Sequence, residues 1–164
     1  MDLAFATGHG PALLTNLEGR APLAHEEDAV AFGFRDMEEQ AKYGSQPLPD
    51  ALKAFDLPTV RRMGAGAAAT AAVEHLARPE LDGFFIHLDA DCLDDAVMPA
   101  VDYRAPDGLT PEELSSTLEI ALASGRAVGI EVTIYNPRLD KNGEAGRMLA
   151  LTLVNSLGDN AQVA

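Results

Sequence analysis

Apolar and polar positions along this chain switch between two periods. Residues 29–34, Ala29-Val30-Ala31-Phe32-Gly33-Phe34, form a nearly continuous apolar run, the pattern of a short strand buried on both faces. A second run, Phe84-Phe85-Ile86-His87-Leu88, ends abruptly in carboxylates, and a third covers residues 127–135 before Asn136-Pro137. The alanine-rich stretch 64–78, given bulk by Val73 and Leu76, predicts a helix that Pro79 ends. Thr110-Pro111-Glu112-Glu113 predicts a helix start, with Thr110 as cap, Pro111 at the first helical position and Glu113 closing a capping box. Leu114, Leu118 and Leu122 then make an apolar stripe at helical spacing, ended by Gly125. A last helix is expected over 143–157. Shorter helical pieces fall at 1–6 and 11–17, with Asp36 capping another from Met37, and a brief strand is expected at 59–63. Strands alternating with helices predict an α/β fold with a parallel sheet, whose ligand site lies at the carboxyl ends of the strands.

Composition narrows the function. The 164 residues are one domain's length, and 47% hydrophobic residues suffice for a core. The formal charge of −14 excludes a phosphate-backbone partner, which needs clustered Lys and Arg, so no nucleic acid is expected. No apolar run approaches the roughly 20 residues that span a bilayer, so no membrane is expected. One cysteine, Cys92, excludes an intramolecular disulfide and fits a reducing compartment, hence a cytoplasmic reading. Beside the acids it reads as a small buried hydrophobe.

The chemistry lies at the end of the second strand. In His87-Leu88-Asp89-Ala90-Asp91-Cys92-Leu93-Asp94, side chains two apart on a strand share a face, so Asp89 and Asp91 are expected to point the same way. Two such carboxylates repel unless a cation sits between them, and a hard divalent ion is the usual answer. His87 lies deeper on that face and reads as support. His9, His25 and His75 have no partner spacing and read as surface or packing residues. The irregular loop at 95–108, with Pro99, Pro106 and Gly108, is long enough to be functional.

Together these marks resemble the second half of the arginase family, also called the ureohydrolases: the run 87–94, then Met98-Pro99-Ala100, Gly108-Leu109-Thr110, and Gly129-Ile130-Glu131-Val132 with Asn136-Pro137. The likeness extends more faintly through Phe32-Gly33-Phe34-Arg35-Asp36. It implies a three-layer α/β/α sandwich around a mainly parallel sheet, truncated on its N-terminal side. Residues 1–157 would be the C-terminal part of that domain and 158–164 a polar tail. It also implies homo-oligomers and two manganese ions that activate water for attack on the trigonal carbon of a small guanidino or amidino substrate. By this resemblance Asp89 is the carboxylate shared between the ions, Asp91 a ligand of one ion, Glu131 more nearly a ligand of the second, and Asp94 and His87 support around them.

The departures from the family pattern are equally specific. A Gly-Gly-Asp-His motif and an Asp-Ala-His-x-Asp triplet, which supply the family's other metal ligands, have no counterpart here. Met1 resembles the residue just after a catalytic His-Gly pair, which is therefore missing. Ile134 stands where arginases and agmatinases carry the Glu that pairs with guanidinium, and Asp102-Tyr103 replaces a Gly-Thr pair. The chain is thus expected to be a fragment, inactive alone, of a hydrolase of carbon–nitrogen bonds in guanidino, amidino or formimino compounds. The alternative is a non-catalytic remnant serving as an interaction or structural module. A haloacid-type phosphatase would need Thr or Val where Cys92 stands.

Overall fold

The computed structural model describes residues 2–158; Met1 and residues 159–164, most of the expected tail, lie outside the described residues. Two short helices open the chain, α1 (Asp2–Ala6) and α2 (Ala12–Thr15). Strand β1 (Val30–Phe34) leads into α3 (Met37–Lys42), β2 (Lys53–Asp56), α4 (Leu57–Met63) and α5 (Ala65–Leu76). Strand β3 (Phe84–Asp89) runs into a 3-10 turn at Ala90–Cys92, and a long loop leads to α6 (Pro111–Ala123). Strand β4 (Ala127–Thr133) and α7 (Glu144–Gly158) complete the fold. The last helix therefore takes in Gly158, the first residue assigned to the tail.

All strand pairing is parallel, as expected for an α/β fold, but it forms two pairs. β1 pairs with β2 and β3 with β4, and among the described residues neither pair is hydrogen-bonded to the other. One apolar core unites them, with Phe55, Leu57, Val60, Ala68, Leu88, Leu93, Met98, Leu109, Leu114, Leu118 and Leu149 all buried. Helices α5, α6 and α7 pack side by side over this core. On β3 the side chains of Phe84 and Leu88 are buried, whereas Phe85 is 57% exposed and His87 points away from the core. No helix among the described residues is long and apolar enough to cross a membrane.

The capping box forms as the sequence predicts: Thr110 Oγ1 accepts from Glu113 N at 3.1 Å, and Glu113 Oε2 accepts from Thr110 N at 2.9 Å. Leu114 and Leu118 are buried at 3% exposure each. Four expectations need correction. The strand expected at 59–63 is helix α4, because Asp56 caps it by accepting from Thr59 N at 2.9 Å and Pro58 suits its first turn. The preceding strand β2 has too little apolar patterning to be legible. Asp36 precedes α3 but caps no backbone N–H; its carboxylate accepts from Gln40 Nε2 at 2.9 Å. The run 29–34 is a strand, yet only Gly33 is fully buried there. The run 127–135 stops as a strand at Thr133 and stays largely accessible, because Ile134 turns the backbone to φ 70°.

Candidate functional site

The carboxyl ends of β3 and β4 lie side by side, since the register pairs His87 with Glu131 and Asp89 with Thr133. Residues directly opposite in a sheet share a face, so these four side chains form one polar patch. His87 Nδ1 lies 2.6 Å from Glu131 Oε1, and His87 Nε2 lies 3.4 Å from Asp89 Oδ1. Thr133 Oγ1 donates to Asp89 Oδ1. The hydrogen bond to Glu131 is the main cause that raises the pKa of His87; the charges of Asp89, Glu131 and Asp2 add to it, against partial burial.

Asp91 stands beyond the strand that carries Asp89. The strand ends at Asp89 and the chain winds into the 3-10 turn, so the alternation that predicted a common face stops one residue too early. The two carboxylates remain electrostatic neighbours. Burial first, and then the negative charge of Asp89, holds the Asp91 carboxyl above its ordinary value, partly offset by Arg35. Cys92 packs under the same turn against the core, where burial and the charge of Asp91 push its thiol up to about 12. That is the inert, structural cysteine the sequence suggests.

Asp94 acts on the loop. Its Oδ1 accepts from Ala96 N at 2.9 Å and its Oδ2 from Gly108 N at 3.2 Å, backbone hydrogen bonds that lower its pKa. The loop is closed at its base by Asp94 N donating to Leu109 O at 3.0 Å and Leu109 N to Cys92 O at 2.8 Å. Gly108 is required there, because a Cβ would stand 2.2 Å from the Leu93 carbonyl carbon. The Asp102 carboxylate accepts from Asn136 Nδ2 at 2.8 Å, which ties this loop to the end of β4.

Among the described residues, no group of three or more His, Cys, Asp or Glu side chains is arranged to hold a metal ion. Asp89, His87 and Glu131 are linked in a row, Asp91 stands beside Asp89 on the turn, and Asp94 is turned toward the loop. Sequence reasoning missed two members of the site. Thr133 was available from the alternation Glu131, Thr133 on β4. Arg35, whose guanidinium reaches the turn from β1, had no local signal. Of the remaining histidines, His9 is hydrogen-bonded to Glu26, and His75 Nε2 lies 2.8 Å from the Glu27 carbonyl.

Comparison with known proteins bears on the family and the fold. The Bacillus subtilis (strain 168) arginase is 30% identical over 158 residues, covering 96% of this chain and 51% of that protein. The Brevibacillus brevis arginase is 26% identical over 159 residues, covering 97% of this chain and 52% of its own length. The chain thus spans about half the length of these curated relatives. Among solved structures, arginase from Bacillus cereus superposes with a TM-score of 0.80 at 26% identity, over 96% of this chain and 53% of that one. Formimidoylglutamase from Bacillus subtilis shares the fold with a TM-score of 0.68 at 20% identity, over 85% of this chain and 43% of its own. The sequence model of the arginase family matches residues 9–158, and the chain belongs to that family.

Proposed function

We propose that this chain is the C-terminal portion of a metal-dependent arginase-family hydrolase that cleaves carbon–nitrogen bonds in guanidino, amidino or formimino compounds. The observation that carries the reading is the pair Asp89 and Asp91 at the carboxyl end of β3, beside Thr133, His87 and Glu131. These carboxylates fit two oxygen donors of a divalent cation such as manganese, because burial, and after it the charge of Asp89, raises the Asp91 pKa, and a cation between the two would relieve both costs. Manganese bound there would supply an activated water and steady the charge that develops on attack. Glu131 is assigned as a further ligand. His87 orients Asp89 and Glu131 through its two ring nitrogens, and Asp94 holds the loop that follows.

A family site built from two halves leaves this one short of donors, so the chain alone is expected to bind manganese weakly and to hydrolyse no guanidino compound. The complete protein is expected to be a cytoplasmic homo-oligomer acting on a small molecule. Arginine and agmatine fit poorly, since Ile134, which stands just past the end of β4 where the backbone turns, offers no carboxylate to the guanidinium. A less charged amidine or formimino compound suits that apolar wall better. The test is to assay the full-length, manganese-loaded protein against arginine, agmatine, guanidinobutyrate and formiminoglutamate, with Ile134→Glu alongside; fast wild-type turnover of arginine would falsify this specificity.

The alternative reading is a non-catalytic module of the same family. Calorimetry distinguishes the two once the complete protein is in hand: tight manganese binding supports the hydrolase, and none supports the module.

A further inference from the structure

β1 ends in an irregularity that aims one side chain at the carboxylate turn. Phe32 pairs with Phe55 and Phe34 with Asp56, so Gly33 is an extra residue in the strand, and its φ of 75° suits a glycine bulge. Bulges bend a strand and redirect the residues after it. Here the next polar residue is Arg35, and its guanidinium faces five backbone carbonyls drawn from two distant segments. Nη2 donates to Asp91 O at 3.1 Å, Leu93 O at 3.3 Å and Ala105 O at 2.8 Å. Nε donates to Pro106 O at 2.9 Å, and Nη1 reaches Cys92 O at 3.4 Å.

We propose that Arg35 is the positioning residue of the carboxylate turn: its guanidinium, bound to the carbonyls of residues 91–93 and 105–106, fixes where Asp91 stands relative to Asp89. This rests on the reading of Asp89 and Asp91 as metal carboxylates. Asp89 is anchored by the β3–β4 ladder and by Thr133, but Asp91 lies beyond the ladder in a single 3-10 turn. Past Cys92 the turn is joined to the end of the loop by the parallel bridge between Leu93 and Leu109; Arg35 holds the turn itself from the other strand pair, and it ties down the far limb of the loop at the same time. The planar fork of five N–H donors matches two groups of carbonyls at once, which an ammonium cannot do. Hydrogen bonds from a charged donor are roughly twice as strong as neutral ones. Arg35 makes no hydrogen bond to either carboxylate side chain among the described residues, so it positions the turn through the backbone, while its charge also acts directly on Asp91.

The experiment compares the chain 1–164 with Arg35→Ala and Arg35→Lys by NMR. Amide exchange at Asp94 and Leu109, whose bonds close the loop base, is expected to quicken about tenfold or more in both variants, with α6 amides unchanged. Methylguanidinium should slow it again in Arg35→Ala. Manganese broadens nearby amides even when it binds weakly, and broadening centred on Asp89 and Asp91 should need about ten times more manganese in the variants. Unchanged exchange at Asp94 and Leu109 would overturn the proposal, as would equal acceleration in α6, which marks a merely structural residue. Altered exchange with undiminished manganese broadening would overturn the positioning role. Locally altered exchange with no broadening at Asp89 and Asp91 even in the wild type would support the clamp and overturn the metal reading alone.

Discussion

His87 and Glu131 face each other across the β3–β4 ladder with 2.6 Å between Nδ1 and Oε1. The glutamate stabilises the imidazolium, so the folded pKa of His87 lies above its unfolded value of about 6.5. The stability this pair adds is therefore fully present below that unfolded value and is lost as pH rises through the folded one. Both side chains are partly exposed, which limits the gain to about 1 kcal/mol or less. Glu131→Gln should lower the His87 midpoint in an NMR titration; an unmoved midpoint would show that the contact does not form in solution.

Asp56 is expected to matter more to stability than its surface position suggests. Its side chain accepts from Thr59 N at the start of α4, and losing such a cap costs about 1 kcal/mol. Asp56→Ala should lower the denaturation midpoint accordingly, and Asp56→Asn much less. The hydrogen bonds to Thr59 lower the Asp56 pKa, so its contribution is present above the unfolded carboxyl value and lost as pH falls through the folded one. A wild-type advantage over Asp56→Ala that did not shrink as pH is lowered through the acid range would contradict this assignment.

Gly108→Ala should be far more damaging than an average surface change. The new methyl would meet the Leu93 carbonyl carbon at 2.2 Å and Asp94 N at 2.3 Å, both backbone atoms that cannot swing aside. Overpacking of this kind costs about 1–3 kcal/mol or more. Urea unfolding measures it, and a variant as stable as wild type would mean that the loop base is looser than described.

The chain alone is expected to self-associate. Among the described residues β1–β2 and β3–β4 are each two-stranded, and on the β3–β4 pair Phe85 is 57% exposed and Val128 71% exposed. Sedimentation should show concentration-dependent association that the double change Phe85→Lys and Val128→Lys reduces. A wild-type chain that stays monomeric at high concentration would speak against this.

What was legible in the sequence was local. The capping box at Thr110 and Glu113 and the stripe Leu114, Leu118 depend only on residues within one or two turns, so α6 could be placed from the residues alone. Asp89 was legible because an apolar strand must end where its carboxylate appears. Asp91 was legible as a neighbour of Asp89 but not as a turn residue, because alternation holds only while the chain remains a strand, and nothing in Ala90-Asp91-Cys92 announces a 3-10 turn. Leu57, Val60 and Met63 stand three apart, a helical spacing too short to outweigh the strand pattern at 59–63 when read alone. Arg35 was illegible as a clamp because its partners lie 56 to 71 residues away.

Ile134 occupies a left-handed backbone conformation, φ 70°, that a β-branched side chain adopts at real steric cost. An unbranched residue crowds that conformation less, and 42% of Ile134 is already in contact with solvent. The single exchange that would give this wall a carboxylate is thus also one the backbone tolerates better than the residue it now carries. Ile134→Glu should melt no lower than wild type, so an acidic side chain at this corner would meet no obstacle from the backbone.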